Sequence, residues 1–335
     1  MSSRCFVIGA TAFGFLVGVE SALTQDRSAN ATAVERLKRA IDQDYSYRDR
    51  LKIDWAKRFE EFESRFLGAA DKTAFEQVAK EFLSAAKDPH IWINDGMRNL
   101  GTHQSDLRPN FNPRLLSKLL PQWKQQGKVG VTGGWPDGVR YVAIGTWDSR
   151  DPNAMSALKA SVKEAAVAKA PLIIDVRPNS GGNEMNARAV AAFFVSKPTT
   201  YGKHVTRSKG KDSAEQARVV PPDPSGVRHP GPCVVLMGPA NMSSCESFLL
   251  MMRAAGCKLV GAKSTGSSGN PKPHDLGNGL TVFLPSWRDM SLDGGGIEGV
   301  GVTPDIVVDA KLDEFRTADP VLAKALEYLR SIDKK

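Results

Sequence analysis

Ser243, Ser244 and Cys245 stand at the seam of the stretch GPANMSSCESFLLMMRAAG, residues 238–256. A hydroxyl or thiol attacks a carbonyl when a base takes its proton and hydrogen-bond donors receive the charge that develops on the carbonyl oxygen. The seam offers the donors. CVVLM before it is short, apolar and β-branched, the pattern of a buried strand, and ESFLLMMRAAG after it favours helix, with Gly256 as the stop. A serine on such a turn has the free N–H groups of the first helical turn beside it. The same position suits an ordinary N-cap, whose hydroxyl accepts one of those N–H groups. Cys245 is a weaker candidate, because it lies inside the helix and has no better base than Ser243.

Candidate bases are few. The chain has five histidines, His90, His103, His204, His229 and His274. His204 and His229 fall in the stretch 201–232, rich in Pro, Lys and Arg, which reads as a solvated surface loop. His103 lies in a turn-rich segment. His90, in KDPHIWIND, follows a helical pattern and sits beside apolar IWI. His274, in PKPHDLGNG, is its rival. RPNSGGN fits neither GxGxxG nor a phosphate-binding GxxxxGK[ST], so its Gly181–Gly182 form either a tight turn or a place where backbone approaches a substrate. Cys233, Cys245 and Cys257 make no CxxC and have no histidine at metal spacing, so no metal or organic cofactor is signalled. Cys233 and Cys257, at the starts of two neighbouring strands, are candidates for a disulfide.

The elements that must position these groups alternate. VRYVAIGTW, PLIIDVR, CVVLM and CKLVGA read as strands. DPNAMSALKASVKEAAVAKA, capped by Asp151 or Asn153, and NEMNARAVAAFFVS read as helices. Strand–helix alternation implies a parallel sheet with right-handed crossovers, and the three polar motifs RPNSGGN, NMSSCE and GAKSTGSSG follow strand ends, where sites gather in such sheets. Asp175 and Arg177 read as structural, and Asp305, after Pro304, as a turn residue. Upstream, residues 31–87 carry helical periodicity in three segments, 31–43, 47–69 and 71–87. Trp55, Phe59, Phe62 and Phe66 lie on one stripe of the second.

The first 22 residues, with Arg4 followed by an apolar run from Cys5 to Val19, read as a secretory signal peptide. An uncleaved N-terminal anchor is the alternative. Either places the remainder outside the cytoplasm, in the periplasm or extracellular. The remaining composition, 41% hydrophobic and 24% charged, is that of a globular protein with no internal membrane span. The net charge is +8, and the excess of Lys and Arg in 201–232 comes without interleaved aromatics, which argues against a nucleic-acid partner.

Taken together, LIIDVRPNSGG, NMSSCESF, VGAKSTGSSG, LGNGLTVFLPSW and GIEGVGVTPDIVV resemble the S41 serine peptidases, the tail-specific or C-terminal-processing protease family. YSYRDRLKIDW and KDPHIWI resemble the N-terminal part of many members, so the resemblance spans roughly residues 35–310. It implies an α/β fold, a ClpP/crotonase-like core with an N-terminal helical cap. The divisions would be a leader at 1–22, a helical cap at 31–90, the core at 91–312 and a C-terminal helix at 313–335. No separate PDZ module is evident.

The resemblance also implies roles. The family's serine stands three residues before a glutamate, which makes it Ser243, ahead of Glu246. Ser244 N–H and the Gly181 or Gly182 N–H would form the oxyanion hole. The best-known members use a Ser–Lys dyad, but here Ser267 occupies the lysine's place, and Lys263 and Lys272 are off register. The tricorn-like branch, with a Ser–His–Glu arrangement, is more similar, and it implies His90 as base and Glu298 as the acid that orients it. The expectation is a serine-type peptidase acting on peptides or proteins. The alternatives are an inactive S41-fold protein binding peptides or apolar ligands, as in the apolar-ligand carriers of the photoreceptor matrix, and a structural or signalling pseudoenzyme.

Overall fold

The computed structural model describes residues 14–104, 109–148 and 150–332, with side chains from Arg27 onward. The leader expected over 1–22 lies outside the described residues, apart from the backbone of the first turns of helix α1. The elements begin with α1 (Gly14–Asp44), α2 (Trp55–Leu67), α3 (Lys72–Ser84), β1 (Trp92–Asn94), β2 (Asn99–Gly101) and α4 (Pro113–Leu119). Next come β3 (Lys124–Gln126), β4 (Gly130–Gly134), β5 (Arg140–Ile144), α5 (Pro152–Val167), β6 (Leu172–Asp175) and α6 (Glu184–Ala191). Then follow β7 (Thr199–Ser208), β8 (Lys211–Asp212), β9 (Gln216–Val220), β10 (Cys233–Met237), α7 (Ser244–Ala254) and β11 (Lys258–Gly261). The chain closes with β12 (Pro271–Asp275), β13 (Thr281–Pro285), β14 (Trp287–Met290), β15 (Ile306–Val307) and α8 (Pro320–Ile332). No helix among the described residues is long and apolar enough to cross a membrane.

The chain divides into two compact units, one of residues up to Gln104 with Pro271–Leu284, the other of Ser105–Asn270 with Pro285–Lys335. In the first, the Asp54 carboxylate accepts the Lys57 N–H and starts α2. The α2 stripe Trp55, Phe59, Phe62 and Phe66 is buried and packs on α3, with the Phe59 and Phe82 rings 4.5 Å apart. The helical reading of 47–54 is corrected: Lys52 takes φ 53°, a left-handed conformation that no α-helix continues through. The unit also holds a sheet in the order β12-β13-β1-β2. Its Ile91, Ile93, Leu276, Leu280, Val282 and Leu284 join the helical core.

The second unit is built on a seven-stranded sheet, β15-β11-β10-β6-β5-β4-β3. Strands β5, β6, β10, β11 and β15 run parallel, while β3 and β4 are antiparallel additions at one edge. β6 and β10 are buried along their whole length, because both faces are covered. Ile174 and Val235 face the core that includes α5, α6 and α7, and Ile173, Val234 and Leu236 face the core that includes α4 and α8. At the end of β6 the buried Arg177 guanidinium lies between the carboxylates of Asp175 and Asp319, with Nη1 and Nη2 each 2.8 Å from Asp319. Tyr141 donates its O–H to Asp175 at 2.7 Å, and Asp319 caps α8 through the Leu322 N–H.

The stretch 201–232 is not the solvated loop that its composition suggests. β7 pairs with β14 on one side and β9 on the other. Tyr201, Val205, Arg218, Val220 and His229 are buried. His229 is held by the Ala170 carbonyl at 2.9 Å. Cys233, Cys245 and Cys257 are free, buried thiols.

Candidate active site

The seam between β10 and α7 follows from a tight turn. After β10 the Asn241 N–H reaches the Gly238 carbonyl, and the Asn241 side chain accepts the Gly238 N–H at 2.8 Å. The Asn241 amide also donates to the Val176 and Asn179 carbonyls, tying this turn to the one after β6. Ser243 then takes φ 59° and ψ −135°, and its hydroxyl makes no capping bond to α7. The N-cap reading of this serine therefore fails. A non-glycine residue held at positive φ stores about 1–3 kcal/mol of strain, which the surrounding structure must hold in place. The Glu246 and Ser247 N–H groups turn back to the Ser243 carbonyl. Ser244, the first helical residue, has no partner for its N–H within the helix.

Gly181 and Gly182 press against this seam. A methyl group on Gly181 would stand 2.8 Å from Ser243 Cβ and 3.1 Å from the Met242 carbonyl oxygen, and the residue sits at φ 115°. Only glycine fits there. The Gly181 N–H is already given to Asn179 Oδ1 at 2.8 Å, while the Gly182 carbonyl accepts the Ser244 hydroxyl at 3.0 Å.

The third strand-end motif closes the site. The Ser243 N–H donates to the Ser267 carbonyl at 2.6 Å. Glu246, buried on the first turn of α7, accepts the Ser264 hydroxyl, the Gly266 N–H at 2.7 Å and the Ser267 N–H at 2.9 Å. Burial pushes its carboxyl up to about 8 against the pull of those donors. The next N–H, that of Ser268, goes to Glu298 Oε2 at 2.8 Å. Ser243 and Glu298 are thus joined through one loop, 264–268, and Gly181 and Gly182 meet Ser243 and Ser244 directly, all within the second unit.

His90 belongs to the first unit. It is buried in the loop after α3, where its N–H donates to Asp88 Oδ1 at 2.8 Å. Asp88, also buried, accepts the Tyr45 hydroxyl at 2.9 Å. Burial pulls the imidazole pKa down to about 4 and pushes the Asp88 carboxyl up to about 6. His274 lies in the same unit, its Nδ1 3.8 Å from Asp44. Burial pushes the Cys245 thiol well up, which leaves it protonated and a poor nucleophile. Lys263 is exposed on the surface. Asp305 accepts the Leu259 N–H at 2.8 Å, a backbone role.

Ser243 opens on a cavity of about 270 Å³. It is lined by Gly182, Asn183 and Glu184, by Ser243, Ser244 and Ser247, by Ser268, Gly269 and Asn270, and by Trp287 and Asp289. Among the described residues, no group of three or more His, Cys, Asp or Glu could hold a metal ion. Sequence reasoning missed Asn179 and Asn241, which fix the two turns, and Glu184, Ser247 and Asp289, which line the cavity. Only the placement of Asn179 and Asn241 inside the polar motifs marks them in advance.

The sequence profile of peptidase family S41 matches residues 138–308, a little over half of the chain, and covers every strand-end motif of this site. The chain belongs to peptidase family S41. Among solved structures, this S41 chain is similar to a candidate peptidase of Parabacteroides merdae, with TM-score 0.74, 20% identity, and coverage of 90% of this chain and 96% of that one. It is similar to mature CPAF, with TM-score 0.63, 12% identity, and coverage of 95% and 97%. The photosystem II D1 C-terminal processing protease follows, with TM-score 0.55, 14% identity, and coverage of 88% and 98%. At these identities the likeness is one of fold. The mixed α/β architecture expected from the sequence is the fold of these S41 proteases.

Proposed function

We propose that the protein is a serine-type peptidase in which Ser243 is the nucleophile, His90 the base and Glu298 the acid that orients it. Ser243 Oγ attacks the peptide carbonyl while His90 takes its proton. The oxyanion is received by the N–H groups of Ser244 and Gly182; Gly181, whose N–H is spent on Asn179, shapes the hole instead. His90 returns the proton to the leaving amine, and water then releases the acyl group by the reverse path. The observation that carries this reading is the strained Ser243, uncapped and facing a cavity beside Gly181–Gly182. The substrates are peptides or proteins, and the leader at 1–22 would deliver the enzyme to the periplasm or the exterior.

The test is labelling with a fluorophosphonate. Wild type should react, and Ser243→Ala and His90→Ala should not. A labelled Ser243→Ala variant would move the nucleophile elsewhere. Ser267 in the lysine's place favours a second reading, an inactive S41-fold protein that binds peptides or apolar ligands. Wild type that neither labels nor cleaves peptides, but binds them, would establish that reading.

A further inference from the structure

Every side chain that lines the cavity beside Ser243 is polar except the Trp287 ring. Two of them, Glu184 and Asp289, are carboxylates and can only accept hydrogen bonds when ionised. Both are fixed from behind by Arg218, which is buried, does not line the cavity and bonds Asp289, Glu184 and the Ser247 hydroxyl together. The guanidinium lies over Trp287 at 4.9 Å and Tyr201 at 5.2 Å. Arg188 and the Tyr201 hydroxyl also bond Glu184. Against the desolvation of its burial, Arg218, Tyr201 and Arg188 hold the Glu184 carboxyl below its usual range, whereas burial pushes Asp289 up against the pull of Arg218. Both are held rigid on a wall whose other side chains are serine hydroxyls, asparagine amides and the Trp287 ring.

Such a wall discriminates by desolvation. An aliphatic side chain entering the cavity strips water from acceptors and replaces none of their hydrogen bonds, at about 1–3 kcal/mol for each group left unpaired. A carboxylate side chain meets like charge. A side chain with N–H donors replaces the displaced water. We propose that this cavity selects a substrate residue next to the scissile bond whose side chain donates hydrogen bonds, namely Gln, Asn, Lys or Arg, over aliphatic and acidic residues. The proposal rests on the peptidase reading of Ser243, and it names the substrate class of that site.

The test uses matched peptides that differ at one position: glutamine against methionine, and lysine against norleucine and glutamate. Cleavage by the wild-type chain is measured as kcat/KM. Affinity for the same peptides is measured by fluorescence anisotropy on the Ser243→Ala variant, which needs no turnover. Donor-bearing peptides should lead their aliphatic partners by about tenfold or more in both assays, a gap of one or two hydrogen bonds. Glu184→Gln should narrow the gap, and wild-type discrimination stands as the readout if that variant does not fold. Equal or stronger binding of methionine and norleucine peptides overturns the proposal, even if fluorophosphonate labelling upholds the peptidase reading. Donor preference in binding without labelling or cleavage upholds the pocket and removes the peptidase.

Discussion

Ser267 holds Ser243 by the backbone: its carbonyl accepts the Ser243 N–H at 2.6 Å, and its own N–H is anchored on Glu246. The residue in the lysine's place thus sets the conformation of the proposed nucleophile. Glu246 is the strut, and its three partners all donate. Glu246→Gln turns an N–H₂ group toward donors. The variant should slow fluorophosphonate labelling by about tenfold, roughly the cost of one buried donor left unpaired. Labelling at the wild-type rate would remove Glu246 from this role.

The φ of 59° at Ser243 separates two substitutions that both delete the hydroxyl. Ser243→Ala keeps the strain, and Ser243→Gly relieves it. The glycine variant should unfold at higher urea concentration than the alanine variant, by about 1 kcal/mol, with both silent toward fluorophosphonate. Equal stability would show that the conformation costs nothing.

Gly181→Ala places a methyl group 2.8 Å from Ser243 Cβ, at a φ that alanine avoids. Labelling should drop by about a hundredfold, the scale of a displaced oxyanion donor, while circular dichroism remains native. Retained labelling would show that the turn after β6 can yield.

The pair His90 and Asp88 makes a prediction in pH. His90 is protonated below about 6.5 when unfolded and only below about 4 when native, so its contribution to stability is lost as pH falls through that window. Asp88 is protonated up to about 6 when native and only below about 3.8 when unfolded, so its contribution is lost as pH rises between those values. The two oppose, and wild-type stability should vary little between about pH 4 and 6 on their account. Asp88→Asn removes one side, and its stability should fall clearly as pH is lowered from about 6.5 to 4. A flat profile for that variant would contradict the buried, neutral His90. If His90 is the base, the acid limb of kcat/KM lies near 4.

Asp319→Ala leaves the buried Arg177 with a single carboxylate and deletes the cap of α8. The expected loss is about 3 kcal/mol in urea unfolding, because a buried charge stripped of one partner cannot be rehydrated. A loss below about 1 kcal/mol would show that Asp175 alone suffices for the guanidinium.

The turn around Ser243 was legible because local pattern decides it: β-branched CVVLM cannot continue into ESFLLMMRAAG without changing period at the polar seam. Arg218 was not legible. A Lys/Arg-rich segment with prolines reads as solvated, and what buries Arg218 is a pair of acids at positions 184 and 289, brought in by β14 and α6. Pairing at such separation leaves no period in the sequence. The same holds for Asp319, which a local reading of Asp175 and Arg177 could not supply. Asn179 and Asn241 look like any turn asparagines until the Asn241 amide is seen tying two turns together and the Asn179 amide is seen tied to the end of β5.

The pairing of β1 with β13 has a consequence for synthesis. The aromatic-rich helices near the N-terminus leave the ribosome early, yet Leu276, Leu280, Val282 and Leu284, which complete their core, are translated some 180 residues later. Until then that apolar surface stays open to water and to other chains. A fragment ending at residue 104 should therefore be insoluble or bound by chaperones, and adding a peptide of residues 271–284 should rescue it.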